Sequence, residues 1–154
     1  MNSKGPDLLK RREIEAQIAI PLIKGYIAEV GRARAVEIAT NVIQNMTRKA
    51  GHQTAVESGS NTLADLAKVM QSWSHGGILE EEILEQSETA YAFNVTRCQY
   101  AEMYEAQGLR EFGYCLSCCR DQPFIEGFNP KIRFQRTQTI MEGAPICDFR
   151  LTVI

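Results

Sequence analysis

The chain has 154 residues, a length that favours a single domain and is enough to bury a hydrophobic core. Charged residues make up 23% of it and the formal net charge is −2, so it lacks the basic excess that is typical of nucleic-acid-binding proteins. The N-terminal stretch is charged, and the longest apolar run near it, IAIPLI, is too short for a signal peptide or a membrane span. We therefore expect a cytoplasmic protein with no nucleic-acid or membrane partner.

The first half of the chain predicts helices. Apolar residues recur at three- and four-residue spacing over residues 14–30, which is typical of a helix with one buried face. A second helix is predicted over residues 35–46, with Gly51 as its C-terminal stop. Thr62 and Asp65 have the spacing of a capping box and predict the beginning of a third helix.

The second half changes to alternating apolar and polar residues, which predicts strands. We expect a hairpin formed by residues 77–86 and 89–97, followed by strands over 131–140 and 147–153, with short helices between them. Together the two halves predict one α+β domain over residues 1–154. Its N-terminal helices, in 10–50 and 62–74, pack on one face of a C-terminal antiparallel sheet of about four strands.

Three of the five cysteines lie in the stretch CLSCCRD, residues 115–121. An odd number of cysteines in a reducing compartment disfavours a disulfide framework. Cys118 and Asp121 lie three positions apart, which on a helical turn places both side chains on one face. A carboxylate there can accept the proton of the thiol or orient a water. The alternative is structural: Cys118 fills a gap in the core and Asp121 caps the next helix.

A zinc site is a further hypothesis for Cys115, Cys118 and Cys119. A strong zinc signal has two ligand pairs, or one pair with suitably spaced histidines. His52 and His75 are distant in sequence and do not supply that spacing, so the sequence does not favour zinc.

Arg136 lies in phase with the apolar residues of its predicted strand, where a buried side chain is expected. A buried arginine requires an anionic partner. Glu142 and Asp148 are candidates for an internal ion pair, and a substrate carboxylate is the alternative. Cys147 begins the last predicted strand and alternates in phase with Phe149, which by itself indicates a core residue.

Several long stretches resemble one known family. The stretches FNVTRCQYAEMY, SCCRD, IEGFNPKIRFQRTQTIMEGAP and CDFR, together with REIEAQIAIPLIKG and NTLADLAKVMQSW, resemble the L-2-amino-thiazoline-4-carboxylic acid hydrolase family. The resemblance extends over nearly the whole chain. It implies a hydrolase that opens a thiazoline ring to give N-carbamoyl-cysteine, a step of cysteine biosynthesis. We expect no cofactor, and assistance by a metal held by Cys118, Asp121 and Cys147 is left open.

The resemblance also implies which residues form the site. The recurring family pattern falls on these residues of the present chain: Cys118, Asp121, Asn129, Arg136, Thr137, Thr139, Gly143, Cys147 and Phe149. The catalytic residues implied are Cys118, Asp121 and Cys147, with either a Cys118 thiolate or an Asp121-activated water as the nucleophile. The substrate-binding residues implied are Asn129, Arg136, Thr137 and Thr139.

We expect Cys118, Asp121 and Cys147 to converge, because the strand that begins at Cys147 can run beside the strand over 131–140. Cys115 and Cys119 should point elsewhere. The expected partner is a small-molecule substrate that carries a carboxylate. The sequence is also compatible with a homo-oligomer. The alternative function is a non-enzymatic sensor domain that binds a small ligand or a soft metal in the same pocket of cysteine and aspartate side chains.

Overall fold

Three helices form the first half of the protein. The computed structural model describes residues 7–154. In it, α1 spans Leu8–Val30, α2 spans Arg32–Ser58 and α3 spans Leu63–Trp73. The predicted capping box begins α3: the Thr62 hydroxyl accepts a hydrogen bond from the Asp65 backbone N–H, and the Asp65 carboxylate accepts one from the Thr62 N–H.

Four antiparallel strands form the sheet. These are β1, Leu79–Gln86; β2, Ala90–Cys98; β3, Ile132–Gln135; and β4, Cys147–Val153. Their order across the sheet is β1-β2-β4-β3. Helices of the N-terminal half followed by a four-stranded antiparallel sheet confirm the predicted α+β class.

Short helices connect the strands. α4 spans Gln99–Ala106, α5 spans Gly113–Leu116 and α6 spans Asp121–Phe128. Turns of 3₁₀ helix at Arg110–Phe112 and Cys118–Arg120 flank α5. Within the described residues, no helix combines the length and the apolar character that crossing a membrane requires.

Two element boundaries differ from the prediction. The helix predicted to stop at Gly51 continues as α2 to Ser58. Glycine is needed at this position because the Phe124 backbone packs closely against it, and not because the helix ends there. The strand predicted over 131–140 ends at Gln135. Beyond it, the backbone N–H groups of Thr137 and Gln138 donate to the Asp148 side chain and not to a strand carbonyl, so the ladder stops there.

The core has two parts. One part packs α3 and α6 on the sheet and includes Leu66, Phe93, Phe128 and Phe149 among its buried residues. The other packs α1 against α4 and α5, with Ile20 near its centre. Leu79, Cys98 and Ile140 contact both parts, so the region around them lies at the junction of the two.

The backbones of α2 and α6 come into direct contact at two glycines. A Cβ atom placed on Gly51 would lie 2.1 Å from the Phe124 carbonyl oxygen, and one on Gly127 would lie 2.0 Å from the Arg48 carbonyl oxygen. No real side chain tolerates such distances, and the neighbour in each case is backbone that cannot rotate away. Each helix therefore needs a glycine where the other crosses it.

We predict that Gly51→Ala and Gly127→Ala each lower the free energy of unfolding by about 1–3 kcal/mol or more, because each overpacks a backbone contact. Gly25→Ala is the matched control: Gly25 also lies inside a long helix but has nothing within 4 Å of its added Cβ. It should instead stabilise the protein by about 0.5–1 kcal/mol through helix propensity. Denaturant unfolding measures all three, and equal effects at the three glycines would contradict the close contact.

Candidate active site

A cavity of about 270 Å³ lies where the two parts of the core meet. Its wall is mainly apolar, and the larger apolar side chains in it are Leu8, Met46, Trp73, Phe124, Met141 and Phe149. The polar groups in the wall are three thiols, one carboxylate, three guanidinium groups and the hydroxyl groups of Thr47, Tyr100 and Ser117. Such a composition is typical of a small-molecule site.

The structure brings Cys118, Asp121 and Cys147 together in the wall of this cavity. Cys118 begins the 3₁₀ turn before α6, Asp121 is the first residue of α6, and Cys147 is the first residue of β4. Cys147 pairs across the ladder with Val95 of β2, which also lines the cavity. The turn before α6 and the end of the β2–β4 pair thus line the same cavity, although their residues are far apart along the chain.

A third thiol of the cavity was missed in the sequence. Cys98 ends β2, three residues after Val95, and its sulfur accepts a hydrogen bond from the Ala101 N–H at the beginning of α4. In the sequence, the available indication that Cys98 could belong to a site was its position between a predicted strand and a predicted helix. Nothing in the spacing of Cys98 relates it to Cys118 or Cys147, because the three sulfurs come from separate elements.

Arg136 forms an internal ion pair, but with Asp121 and not with Glu142 or Asp148. Its Nη1 donates to Asp121 Oδ2, and its Nη2 donates to the Cys118 carbonyl oxygen at 3.1 Å. The Arg136 side chain is 7% exposed and that of Asp121 is 18% exposed. The prediction that Arg136 is buried beside an anion is therefore confirmed, and the two candidate partners, Glu142 and Asp148, were wrong.

Two aromatic rings support the Arg136 guanidinium. Its central carbon lies 5.4 Å from the centre of the Phe134 ring and 5.2 Å from that of Phe149. Such contacts attract a cation through the negative face of the ring. Burial by itself would lower the pKa of Arg136, but the neighbouring Asp121 outweighs that effect and raises it, so the guanidinium stays charged.

The cavity thiols are held in the neutral form. Burial raises the pKa of Cys98 to about 11 and also raises that of Cys147. Burial, followed by the nearby Asp121 charge, raises the pKa of Cys118 well above the ordinary 9.0, although Arg136 acts in the opposite direction. Burial likewise raises the pKa of Asp121 against the opposing charge of Arg136.

Three residues that the sequence suggested for substrate binding do not line this cavity. Asn129 ends α6, where its Nδ2 donates to the Asn61 carbonyl oxygen at 2.8 Å. The Thr137 hydroxyl donates to Asp148 at 2.6 Å. Thr139 is buried and caps the 3₁₀ turn Ile140–Glu142. All three make hydrogen bonds that shape the chain around the site.

Cys115 and Cys119 do not line this cavity. The Cys115 sulfur accepts a hydrogen bond from the Thr40 hydroxyl at 3.3 Å, and Cys119 donates to the Cys115 carbonyl oxygen at 2.8 Å. Among residues 7–154 no group of three or more histidine, cysteine or acidic side chains is arranged to hold a metal ion. The zinc hypothesis therefore gains no support from the described part of the chain.

The family model for L-2-amino-thiazoline-4-carboxylic acid hydrolase matches residues 11–151 of the chain. The chain belongs to the L-2-amino-thiazoline-4-carboxylic acid hydrolase family. This confirms the resemblance inferred from the sequence. The match includes every residue of the cavity wall except Leu8. No curated protein matches the chain.

Two solved structures resemble this member of the hydrolase family. One is trafficking protein particle complex subunit 3 from Naegleria fowleri, covalently bound to palmitic acid; it has a TM-score of 0.54 and 12% identity, over 94% of this chain and 95% of that one. The other is the phenol-responsive sensory domain of the transcription activator PoxR with phenol, with a TM-score of 0.46 and 15% identity, over 90% of this chain and 73% of that one. The likeness to the trafficking subunit shows a shared fold alone.

We predict that Cys98, Cys118 and Cys147 of the folded protein react with iodoacetamide at neutral pH at least about tenfold more slowly than in the unfolded chain, because only the thiolate reacts and burial disfavours it. Mass spectrometry of the alkylated peptides measures each rate separately. Unfolding in denaturant is the control, since it should make all five free cysteines reactive. Preferential labelling of Cys118 in the folded protein would instead indicate a stabilised thiolate.

Proposed function

We propose that this protein is a hydrolase that opens a small cyclic amidine-like heterocycle, of the 2-amino-thiazoline-4-carboxylate type, to an N-carbamoyl amino acid. Membership of the family supports the reaction class. The observation that carries the proposal is the Asp121 carboxylate, which lies in the cavity beside Cys118 and Cys147 and is held in place by Arg136.

The reaction requires one water and two proton transfers. The water oxygen adds to C2, the carbon that is bonded to two nitrogens and to the ring sulfur. The tetrahedral intermediate then collapses, the C2–S bond breaks and C2 becomes the carbonyl of a urea. One proton of the water ends on the ring nitrogen and the other on the released sulfur, so the site needs a base for the water and an acid for the leaving group.

Asp121 has the position and the charge of the base. Its Oδ2 is occupied by Arg136, and within residues 7–154 its Oδ1 accepts no hydrogen bond, so that oxygen is available to a water or a substrate N–H. Burial raises the pKa of Asp121, which makes its carboxylate a stronger base than an exposed aspartate. The ion pair fixes the orientation of the carboxyl plane.

Cys118 has the protonation state of the acid. Because burial keeps its thiol neutral, it can donate a proton to the departing sulfur and recover one from the hydroxyl group as the C2 carbonyl forms. The Cys147 sulfur accepts a hydrogen bond from the Ile140 N–H at 3.2 Å, which fixes this neutral thiol in the cavity wall as a second proton donor. A Cys118 thiolate attacking C2 is the competing mechanism, and it would first have to lose its proton to Asp121.

A small-ligand sensor that uses the same cavity is the second candidate. The mainly apolar wall favours it, because neutral thiols and aromatic rings can hold a ligand without reacting with it. Turnover separates this candidate from the hydrolase.

We predict that the wild-type protein releases a thiol from 2-amino-thiazoline-4-carboxylate, and that Asp121→Asn lowers kcat by about 10²–10⁴-fold through loss of the base. Cys118→Ser should also lower kcat, because a hydroxyl is a poorer acid than a thiol. Cys119→Ser is the matched control and should keep full activity, since that thiol donates to the Cys115 carbonyl oxygen and does not line the cavity. Absence of turnover by the folded wild-type protein would favour the sensor.

The dependence of kcat/KM on pH distinguishes the two nucleophiles. If Asp121 activates water, the rate rises with pH through the pKa of its carboxyl group and levels off before the thiols titrate. If a free Cys118 thiolate attacks, the rate continues to rise by about tenfold for each pH unit beyond pH 9.0, because burial raises the pKa of this thiol well above that value. We expect the first profile, measured in buffers of constant ionic strength with the fold checked by circular dichroism.

A further inference from the structure

Two arginines of the cavity wall are not part of the chemistry described above. Arg12 comes from α1 and Arg120 from the 3₁₀ turn before α6, and both line the cavity. Their side chains are only 17% and 16% exposed. Each is thus a largely buried cation close to the proposed reacting groups, and its charge lowers the pKa of Asp121 against the effect of burial.

Arg12 and Arg120 share a single carboxylate. The Nη1 atom of Arg12 donates to Glu15 Oε1 at 3.0 Å and to Oε2 at 2.8 Å. The Nη2 atom of Arg120 donates to the same Oε2 at 3.1 Å, while its Nε donates to the Leu116 carbonyl oxygen at 2.6 Å. Two guanidinium groups held by one carboxylate leave one positive charge without a counter-charge.

The rest of the cavity does not supply that counter-charge. Arg136 is already matched by Asp121, so the wall and Glu15 together carry three guanidinium groups against two carboxylates. Burial and the neighbouring Arg12 charge lower the pKa of Arg120, which reflects the strain of two cations held close together away from water. One monoanion bound between them would neutralise the cavity.

Both arginines keep donors for such an anion. Within residues 7–154, the Nε and Nη2 atoms of Arg12 and the Nη1 atom of Arg120 donate no hydrogen bond to the protein. A guanidinium group matches the planar geometry of a carboxylate and can bind both its oxygens. Arg136 is less suited, because its Nη1 and Nη2 already bind Asp121 and Cys118.

We propose that Arg12 and Arg120 form the anion-binding subsite of the cavity and hold the carboxylate of the substrate, while Arg136 positions Asp121. This inference rests on the proposed hydrolase function for the identity of the ligand. It assigns carboxylate specificity to one residue of α1 and one of the turn before α6, in place of the Arg136 anchor that the sequence suggested. The preferred substrate is therefore a small heterocyclic monoanion.

The test compares 2-amino-thiazoline-4-carboxylate with its uncharged 4-carboxamide, using equilibrium binding by calorimetry and turnover in parallel. We expect the wild-type protein to prefer the carboxylate, and Arg12→Gln and Arg120→Gln each to weaken carboxylate binding by about 10- to 100-fold, the usual range for losing a charged hydrogen bond. Binding of the carboxamide should hardly change. Arg34→Gln, at an exposed ion pair with Glu37 away from the cavity, is the matched control and should behave as wild type.

Three results would overturn the inference: a wild-type protein without preference for the carboxylate, an unchanged preference in both Gln variants, or an equal loss for carboxylate and carboxamide. If a Gln variant does not fold, Arg12→Lys and Arg120→Lys keep the charge beside Glu15 but not the planar fork, and should show a smaller loss of the same preference. An unchanged preference in these Lys variants would likewise overturn it. Preferential binding that depends on both arginines, without turnover, would support the subsite and count against the hydrolase function alone.

Discussion

The direct contact between the backbones of α2 and α6 is the constraint on which the candidate site depends. Helices normally pack with their side chains between them, and here Gly51 and Gly127 remove those side chains at both sides of the crossing. α6 is therefore fixed against the C-terminal half of α2. Asp121 lies at the start of α6, so this contact also sets how far its carboxylate enters the cavity.

The buried pair of Arg136 and Asp121 extends that constraint to the sheet. Arg136 follows β3 directly, and its side chain bonds both Asp121 and the backbone of Cys118. A buried ion pair contributes little net stability, because the desolvation of two charges offsets their attraction. Its clearer effect is on position. Separating the two partners would leave each charge buried and unpaired, so the pair holds the sheet edge and the start of α6 in one arrangement.

Burial determines the protonation states within the cavity. The thiols of Cys98, Cys118 and Cys147 stay neutral because an apolar wall disfavours the thiolate, whereas the guanidinium groups stay charged because carboxylates accompany them. A neutral thiol beside a carboxylate suits proton transfer to a leaving sulfur. An excess cation at Arg12 and Arg120 suits a substrate anion. Both properties agree with a reaction on a small anionic heterocycle.

The sequence by itself determined the elements whose cause is local. The capping box of Thr62, the alternation of β2 and β4 and the burial of Arg136 follow from spacing, since neighbours along a helix or strand share a face. Only the tertiary structure decided what those faces meet: Asp121 as the partner of Arg136, Cys98 and Arg12 in the cavity wall, and a helix instead of a stop at Gly51. These contacts join residues distant along the chain, and periodicity carries no information about distance across the fold.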